Sequence, residues 1–208
     1  MHEETVTKNT KGVLEALNKT DFIKNFYLAG GTSLAIYLGH RISVDLDWFA
    51  ESFNYTPIFR KKLADLGKLE IDDETEKTFN GSLNGVKISF FEYPYLLFAP
   101  KTKYSDNIYL AGIPDIAAMK LDAIGSRGSR KDFVDIYFLL KQYSMEKLLG
   151  FVRKKFADIE YNQAHLLKAL IYFKDAENTE MPKMLHLVKW EEIKKEITEK
   201  VKKYINES

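Results

Sequence analysis

The chain has 208 residues, of which 45% are hydrophobic and 13% aromatic, so it can bury a core as one domain with at most a modest extension, and a disordered chain is excluded. The formal net charge is only +1, so a polyanionic partner has to be held by a local patch of charge rather than by a global field. The chain contains no cysteine, which excludes disulfides and thiolate metal sites.

The first part of the sequence is predicted to alternate between short helices and short strands. Hydrophobic spacing, glycine stops and one early proline predict helices over residues 8–25, 33–38 and 57–66. Apolar or alternating runs predict strands over residues 26–29 and 42–49.

A β pattern follows over residues 69–95. Asn80-Gly81 and Asn84-Gly85 are dipeptides typical of hairpin turns, and residues 86–93 form the clearest strand of this region. With the two earlier strands, this segment predicts a small sheet.

The second half of the chain is predicted to be mostly helical. Helices are expected over residues 114–124 and 131–143, followed by an amphipathic helix over residues 190–205. We therefore expect an α/β (α+β) fold with a small mixed β-sheet, flanking helices and a helical C-terminal half. The boundary divides an α/β core over residues 1–112 from a helical subdomain over residues 113–208 that closes a cleft over the sheet.

The tetrapeptide Gly30-Gly31-Thr32-Ser33 lies between a predicted strand and a predicted helix. Glycine lets the backbone approach a phosphate closely, and a helix N-terminus supplies free N–H groups and a positive dipole. The hydroxyl of Thr32 or Ser33 can add another donor. The same residues can equally form an ordinary strand–helix turn capped by a hydroxyl, so the tetrapeptide alone does not decide between the two.

Asp45 and Asp47 have the same parity on the second predicted strand. Their Cα atoms are expected to lie about 6.6 Å apart from the rise of a strand. Like charges this close repel, so their face must meet water or cations, and Mg²⁺ prefers carboxylate and phosphate oxygens. A solvated edge strand is the alternative, but aspartate is a poor strand former. Beside the glycine turn, the pair indicates metal-dependent phosphate chemistry.

Two blocks of the sequence together resemble a known family. The first is Ala-Gly-Gly-Thr-Ser-Leu at residues 29–34 with His-Arg-x-Ser-x-Asp-x-Asp at residues 40–47. The second is Lys120 with Arg-Gly-x-Arg-Lys-Asp-x-x-Asp at residues 127–135. This ordered set is similar to the AbiEii/AbiGii toxin family of nucleotidyltransferases, which has the nucleotidyltransferase fold of the DNA polymerase β type.

The resemblance implies a nucleotidyltransferase-type sheet, a divalent metal (Mg²⁺ or Mn²⁺) and a nucleoside triphosphate donor. It also implies a role as the toxin of a toxin–antitoxin or phage-defence pair. The residues that it places in the site are Thr32 or Ser33 in the phosphate loop with Gly30 and Gly31, Asp45 and Asp47 at the metal, Lys120 near the triphosphate, and Asp132 or Asp135 completing the catalytic set.

The residues of the second block agree in part with this assignment. Lys120 lies on an otherwise apolar helix, so it either extends to the surface or points into a polar cleft. Arg127, Arg130 and Lys131 form a dense positive cluster that can clamp nucleotide phosphates or an RNA backbone, or can be a solvated loop. Arg41 is expected to neutralise the carboxylates or bind a phosphate, although with its neighbouring histidine it can also be an exposed loop pair.

Asp132 and Asp135 share one face of the helix predicted over residues 131–143. Asp132 can be an acidic residue of the first turn that the helix dipole favours. Asp135 lies deeper in the helix, and we expect it to pair with Arg130 or Lys120.

The sequence departs from the polymerase-β pattern at the third carboxylate. That acid is expected on the strand predicted over residues 86–93, where Ser89 stands at its place and Glu92 is displaced and of opposite parity. An acceptor hydroxyl then has to be activated by the metal alone or by Asp132 or Asp135.

The main hypothesis is a metal-dependent nucleotidyltransferase toxin that transfers a nucleotide to RNA (for example tRNA) or to a protein and is opposed by an antitoxin protein. A transferase acting on a small molecule such as an antibiotic, and a catalytically silent binding module, are the alternatives. No apolar run reaches the ~20 residues needed to cross a bilayer and the N-terminus is not signal-like, so a cytoplasmic protein without membrane contact is expected.

Overall fold

A computed structural model describes residues 1–159 and 161–207. Over these residues the chain forms seven β-strands and eight α-helices, which confirms the mixed α/β class. The strands are β1 (Tyr27–Ala29), β2 (Leu46–Ala50), β3 (Leu69–Thr75), β4 (Thr78–Leu83), β5 (Val86–Glu92), β6 (Thr102–Lys103) and β7 (Tyr109–Leu110). The helices are α1 (Lys8–Asn18), α2 (Gly30–Leu38), α3 (Pro57–Ala64), α4 (Ile113–Ser126), α5 (Arg130–Gln142), α6 (Met145–Lys155), α7 (Gln163–Ala169) and α8 (Trp190–Glu207).

The seven strands form one mixed sheet in the order β3-β4-β5-β2-β1-β7-β6. β2 pairs in parallel with β5, and β1 pairs in parallel with β7, whereas the other pairs are antiparallel. The parallel β2–β5 pair places Asp47 opposite Ser89. The middle of the sheet therefore carries both β2, with Asp47, and β5, the strand on which the third carboxylate is expected.

Each face of the sheet buries its own hydrophobic core. On β2, Leu46 and Trp48 point to a core shared with α1 and α3. On β1, Tyr27 and Ala29 point to the opposite core, which α4, α5, α6 and α8 complete. Side chains alternate between the faces because the period of a strand is two residues. Asp47 therefore lies on the side of the sheet that faces the helical half.

The helix predicted over residues 8–25 is wrong at its C-terminal end, because α1 stops at Asn18 and a separate 3-10 turn spans Phe22–Asn25. The Asn18 side chain accepts hydrogen bonds from the Ser105 hydroxyl at 2.8 Å and the Asn107 backbone N–H at 2.9 Å. Its carbonyl accepts from the Asn107 amide at 2.8 Å. These bonds replace the next helical turn.

The strand predicted over residues 42–49 begins only at Leu46. The preceding residues are hydrogen-bonded elsewhere: the Ile42 N–H donates to the Lys183 carbonyl at 2.8 Å, and the Ser43 N–H donates to the Thr5 carbonyl at 2.9 Å. Asp45 consequently lies just before the strand and Asp47 within it.

The hairpin turn predicted at Asn80-Gly81 is also wrong, since both residues lie inside β4. A bulge in β3 brings the Glu70 carbonyl against the position that a Gly81 Cβ would occupy, so glycine is needed within the strand. The turn predicted at Asn84-Gly85 is confirmed, with φ of 52° and 76° at the two residues.

The long helices of the second half begin and end within one or two residues of their predicted bounds. Within the described residues, no helix combines the length and the apolar character that crossing a membrane requires.

Candidate active site

A cavity of about 730 Å³ lies between the sheet and the helical half, within the range of about 300–1,000 Å³ typical of small-molecule sites. Its walls come from six parts of the chain: the glycine turn (Gly30 and Gly31, with which α2 begins), the segment from Arg41 to Phe49, the end of β5, α4 with the following turn, the start of α5, and a late segment over residues 180–183. The charged side chains among the lining residues are Arg41, Asp45, Asp47, Glu92, Lys120, Asp122, Arg127, Lys131, Glu180 and Lys183.

The carboxylate of Asp47 lies directly against the glycine turn. Gly30 has φ of +65°, and a Cβ built there would come within 2.5 Å of Asp47 Oδ2. Glycine is therefore required at this position for two reasons: only glycine adopts this backbone conformation readily, and a Cβ would occupy the space that the Asp47 carboxylate fills. No hydrogen bond to this carboxylate is found within the described part of the chain. Burial, reinforced by repulsion from Asp45, raises the pKa of Asp47, and nearby cations offset this only partly.

Asp45 lines the same cavity, and its side chain is 35% exposed. Its Oδ2 lies 3.4 Å from Lys131 Nζ on α5. The Asp45 backbone is fixed by Thr32, whose hydroxyl donates to the Asp45 carbonyl and also lies 2.9 Å from the Ser43 hydroxyl. The structure thus brings both carboxylates to one cavity, with Asp47 against Gly30, but it uses the Thr32 hydroxyl to hold the acidic segment.

Ser33 does not share this place. Its side chain is buried, its hydroxyl has no hydrogen-bond partner in the described part of the chain, and it is not among the lining residues. Of the two predicted hydroxyl donors, Thr32 reaches the cavity wall and Ser33 lies behind it.

A buried ionic cluster lies beneath the cavity floor, centred on Asp135. Arg41 donates to both oxygens of this carboxylate, from Nε at 2.7 Å and from Nη2 at 2.9 Å. Lys120 Nζ lies 2.7 Å from Asp135 Oδ2, and His40 donates to Oδ1 from Nε2 at 2.7 Å. Asp135 therefore pairs with Lys120 as expected and with Arg41, whereas Arg130 takes no part.

The cluster also fixes the protonation of its members. Burial works to raise the pKa of Asp135, but Arg41 and Lys120 outweigh it and hold that pKa well below its usual value. Burial lowers the pKa of His40, so the ring is neutral at pH 7, with its proton on Nε2 and with Nδ1 buried and unpartnered in the described structure. These residues form a fixed frame rather than a titrating site.

Lys120 joins this frame to the first turn of α5. Its Nζ lies 3.0 Å from Asp132 Oδ1 and the side chain is 6% exposed. Asp132 also closes a capping box with Ser129, accepting from its hydroxyl at 2.6 Å and from its N–H at 3.2 Å. Burial would lower the pKa of Lys120, but Asp135 and Asp132 hold it above its usual value, so the ammonium stays charged. Lys120 reaches the cavity wall, whereas Asp132 and Asp135 are absent from the described residues that line it.

The predicted positive cluster divides into two parts. Arg127 and Lys131 line the cavity and are exposed, with 67% and 47% of their side-chain surfaces accessible. Arg130 turns away: its guanidinium donates to Glu177 at 3.2 Å and lies over the Trp190 ring, 5.4 Å from the centroid. Only the first two residues can reach a ligand in the cavity.

The position predicted for the third carboxylate, on β5 opposite Asp47, carries no acid. Ser89 lies opposite Asp47 on β5 and is buried. The Glu92 carboxylate bonds to Lys77 at 2.5 Å and accepts from the Phe53 N–H at 3.4 Å. Within the described residues, no cluster of three or more histidine or acidic side chains is arranged for a metal ion.

Two carboxylates nevertheless fit a hard divalent ion. Mg²⁺ is commonly held by one or two carboxylates together with substrate phosphate oxygens and water. Burial first, and then the neighbouring Asp45 charge, raise the pKa of Asp47, so an ionised Asp47 is disfavoured unless a further positive charge lies beside it. A cation beside these oxygens would supply that charge.

Several lining residues were not predicted from the sequence. Phe49, Phe91 and Tyr93 form an aromatic wall, with Phe49 ring centroids 5.3 Å from Phe91 and 5.4 Å from Tyr93. They have the same parity on paired strands as Asp47, which was the available signal. The segment over residues 180–183 lies beside the loop before β2, where the Ile42 N–H donates to the Lys183 carbonyl, and nothing near it in the sequence indicates this position.

Comparison with known proteins gives a family match and a full-length relative. A family model described as nucleotidyl transferase AbiEii toxin of a type IV toxin–antitoxin system matches residues 12–108. An uncharacterized protein of Aquifex aeolicus (strain VF5), aq_aa25, is 36% identical over 204 residues, covering 95% of this chain and 97% of that protein.

Solved structures are similar in fold at low sequence identity. MenT4, a nucleotidyltransferase toxin from Mycobacterium tuberculosis H37Rv, has a TM-score of 0.50 at 13% identity, over 94% of this chain and 84% of that one. JHP933 from Helicobacter pylori has a TM-score of 0.45 at 14% identity, over 99% of this chain and 94% of that one. The sequence match and the nucleotidyltransferase fold agree: the chain belongs to the AbiEii nucleotidyltransferase toxin family.

Proposed function

We propose that this family member is a toxin that transfers a nucleotide from a nucleoside triphosphate to an acceptor hydroxyl in a reaction that depends on Mg²⁺ or Mn²⁺. The observation that carries the proposal is that Asp47 lies against Gly30 and that Asp45 lines the same cavity, whose volume suits a small-molecule ligand. The acidic pair, the glycine turn and a set of cations converge there, as phosphoryl chemistry requires.

Each part of the cavity has a role in this scheme. Asp45 and Asp47 would hold the divalent ion, which would neutralise phosphate charge when bound. Backbone N–H groups at Gly30 and Gly31, at the N-terminus of α2, bind phosphate oxygens. Arg127 and Lys131 stabilise the charge of the leaving pyrophosphate from the cavity mouth, and the aromatic wall offers a surface for the base.

The bond changes define what the residues must position. The acceptor oxygen forms a bond to the α-phosphorus, the bond from that phosphorus to the bridging β-phosphate oxygen breaks, and pyrophosphate leaves. The hydroxyl proton passes to solvent at the mouth, where Asp45 is exposed.

The buried ionic cluster completes the scheme through Arg41, Lys120, Asp132 and Asp135. Asp135 fixes Arg41 and Lys120, and Asp132 fixes Lys120, so both aspartates act as positioning residues for the two cations at the floor. Residues 113–208 supply these groups and the upper wall. We propose that this helical part closes the cleft over the core formed by residues 1–112.

A transfer assay tests the proposal. The purified protein is incubated with each α-labelled nucleoside triphosphate, Mg²⁺, and cellular RNA or protein, and is compared with Asp45→Asn. The 88% exposed Asp106 provides the matched control Asp106→Asn. We expect label in the acceptor fraction with wild type and Asp106→Asn and its loss with Asp45→Asn; equal labelling by all three contradicts the proposal. Growth arrest on expression, relieved by a cognate antitoxin protein, would support the toxin role in the cytoplasm.

The buried Ser89 opposite Asp47 favours one other candidate, a catalytically silent module that keeps the fold. Such a module would show no metal-dependent triphosphate binding. Calorimetry with and without Mg²⁺ distinguishes the two functions.

A further inference from the structure

Another buried ion pair joins α4 to α6 outside the cavity. Lys155 Nζ lies 2.9 Å from Asp115 Oδ1, and both side chains are fully buried. Neither residue is among the described residues that line the cavity. Taking two charges out of water costs free energy that their attraction often does not repay, and apolar residues of similar volume can stabilise a fold equally well. Stability alone therefore does not account for the pair, and its other contacts indicate what it does.

The ammonium group of Lys155 is bonded to the loop over residues 93–101, which connects β5 to β6. It donates to the carbonyl of Tyr95 at 3.3 Å and to the carbonyl of Leu96 at 3.0 Å. Together with the bond to Asp115, these contacts use all three ammonium protons. The orientation of the group is therefore fixed.

The carboxylate of Asp115 is bonded to the same loop. It accepts from the backbone N–H of Phe98 at 3.3 Å and from that of Ala99 at 2.9 Å. The two charges thus satisfy four polar backbone groups of a loop that has no regular secondary structure over residues 93–101. Since such groups otherwise require water or a sheet partner, the pair determines the path of this loop.

The loop begins at Tyr93, a member of the aromatic wall of the cavity. The Tyr93 N–H donates to the Ala50 carbonyl at 2.7 Å, so its backbone still follows the sheet. Its ring is supported from the loop, because Tyr95 packs edge-on against it with centroids 4.9 Å apart. Lys155 Nζ lies over the same ring, 5.3 Å from the centroid. Lys155 therefore contacts the Tyr93 ring directly and also holds the residue that packs against it.

Asp115 acts on the support of a second ring of the wall, Phe49. The Tyr27 ring stacks on Phe49 with centroids 5.9 Å apart and planes inclined by 21°. Burial first, and then the charge of Asp115, raise the pKa of the Tyr27 hydroxyl, so Asp115 lies close enough to act on this buried side chain. The two charges of the pair thus act on residues that form or support two rings of the wall.

We propose that Lys155 and Asp115 are positioning residues for the nucleoside part of the donor, because they fix the loop from which Tyr93 enters the aromatic wall. This inference rests on the proposed function. Neither residue touches the ligand or takes part in bond making. The base stacks on the wall, whereas the phosphates lie at the glycine turn and the acidic pair. Loss of the Lys155–Asp115 pair therefore weakens the hold on the nucleoside and leaves the hold on the phosphates unchanged.

Calorimetry on the full-length protein with Mg²⁺ and either a nucleoside triphosphate or inorganic tripolyphosphate tests the inference. Tripolyphosphate has the phosphates without the nucleoside, so the ratio of the two affinities measures what the nucleoside adds. A smaller folded fraction lowers both affinities alike and leaves the ratio unchanged. Tyr93→Ala is expected to lower the ratio roughly tenfold, whereas Tyr93→Phe keeps the ring and the ratio.

The pair itself is tested with a double variant. Lys155→Met alone leaves the Asp115 carboxylate buried without its partner and is expected to destabilise the fold strongly. Asp115→Asn combined with Lys155→Met removes both charges and keeps an acceptor for the loop, so it is expected to fold, which thermal unfolding checks. We expect this double variant to lower the ratio roughly threefold to tenfold with tripolyphosphate affinity unchanged. Lys147→Met removes an exposed lysine from the same helix and should keep the wild-type ratio.

The results separate the two claims. Wild type that binds neither ligand with Mg²⁺ would overturn the proposed function, and this inference with it. Wild type that binds tripolyphosphate and nucleoside triphosphate equally well would overturn the inference alone, because the nucleoside would then add nothing. The inference alone would also be overturned by a folded double variant with the wild-type ratio, or by equal falls in the ratio for the double variant and Lys147→Met.

Discussion

The contact between Gly30 and the Asp47 carboxylate makes a quantitative prediction for Gly30→Ala. Holding a non-glycine residue at φ of +65° costs about 1–2 kcal/mol. The new methyl also meets Asp47 Oδ2 at 2.5 Å, and overpacking of this kind costs about 1–3 kcal/mol more. We expect a total loss of roughly 2–5 kcal/mol in the free energy of unfolding, together with loss of metal-dependent triphosphate binding because the carboxylate is displaced.

Gly85→Ala is the matched control. Gly85 has φ of +76° and open space where its Cβ would lie, so this variant measures the backbone cost alone. Urea denaturation followed by the fluorescence of the buried Trp48 gives both free energies. In an Asp47→Ala background the contact is absent, and Gly30→Ala should then cost no more than Gly85→Ala. Equal costs in the wild-type background, with triphosphate binding intact in Gly30→Ala, would refute the placement of the carboxylate against the turn.

Three further predictions concern the charges around the cavity. Asp135→Asn removes the buried anion that three side chains share and should cost about 3–5 kcal/mol of unfolding free energy in urea denaturation, against almost nothing for the exposed Asp106→Asn; similar costs would contradict the buried cluster. Since burial lowers the pKa of His40 in the folded state, stability should decline as the pH falls below about 6.5, because the unfolded chain takes up the proton first. Thermal unfolding between pH 7 and pH 5 measures this, and His40→Gln should remove the dependence. Arg127→Ala should weaken triphosphate binding with little change in stability, whereas Arg130→Ala should lower stability and leave binding unchanged, as calorimetry and denaturation can show; the reverse pattern would contradict the division of the positive cluster.

The acidic pair and the glycine turn could be predicted because they lie close together in the sequence. Gly30 directly follows β1, and Asp47 lies on the antiparallel neighbour β2, opposite Ala29. The connection between these two strands is short, so it brings the two residues together. Periodicity also predicts the long helices, since their apolar faces extend over several turns.

The buried cluster could not be predicted in the same way. His40 and Arg41 bond to Asp135 across 95 and 94 residues of sequence, and neither partner has a pattern that indicates the other. A loop pair next to the acidic segment is typical of an exposed site, yet both side chains are buried because Asp135 supplies their charge partner. The start of β2 at Leu46 could not be predicted for a related reason, because the Ile42 N–H donates to the carbonyl of Lys183, which is distant in the sequence.

The different directions in which the Arg127 and Arg130 side chains point could not be predicted from the sequence either. Both belong to one cluster, but Gly128, with φ of +43°, turns the chain between them. Arg127 ends α4 at the cavity, and Arg130 begins α5 facing Glu177. The roles assigned to the individual site residues stay predictions that mutation can test.

Isothermal calorimetry of nucleoside triphosphate binding with and without Mg²⁺ tests the central claim most directly. Asp47→Asn keeps the shape of the side chain against Gly30 and removes the charge that a divalent ion requires. We expect wild type to bind triphosphate only when Mg²⁺ is present and Asp47→Asn to lose that dependence together with most of its affinity. Equal affinity with and without Mg²⁺ in wild type, or unchanged Mg²⁺-dependent binding in Asp47→Asn, would contradict a metal-dependent site on the acidic pair.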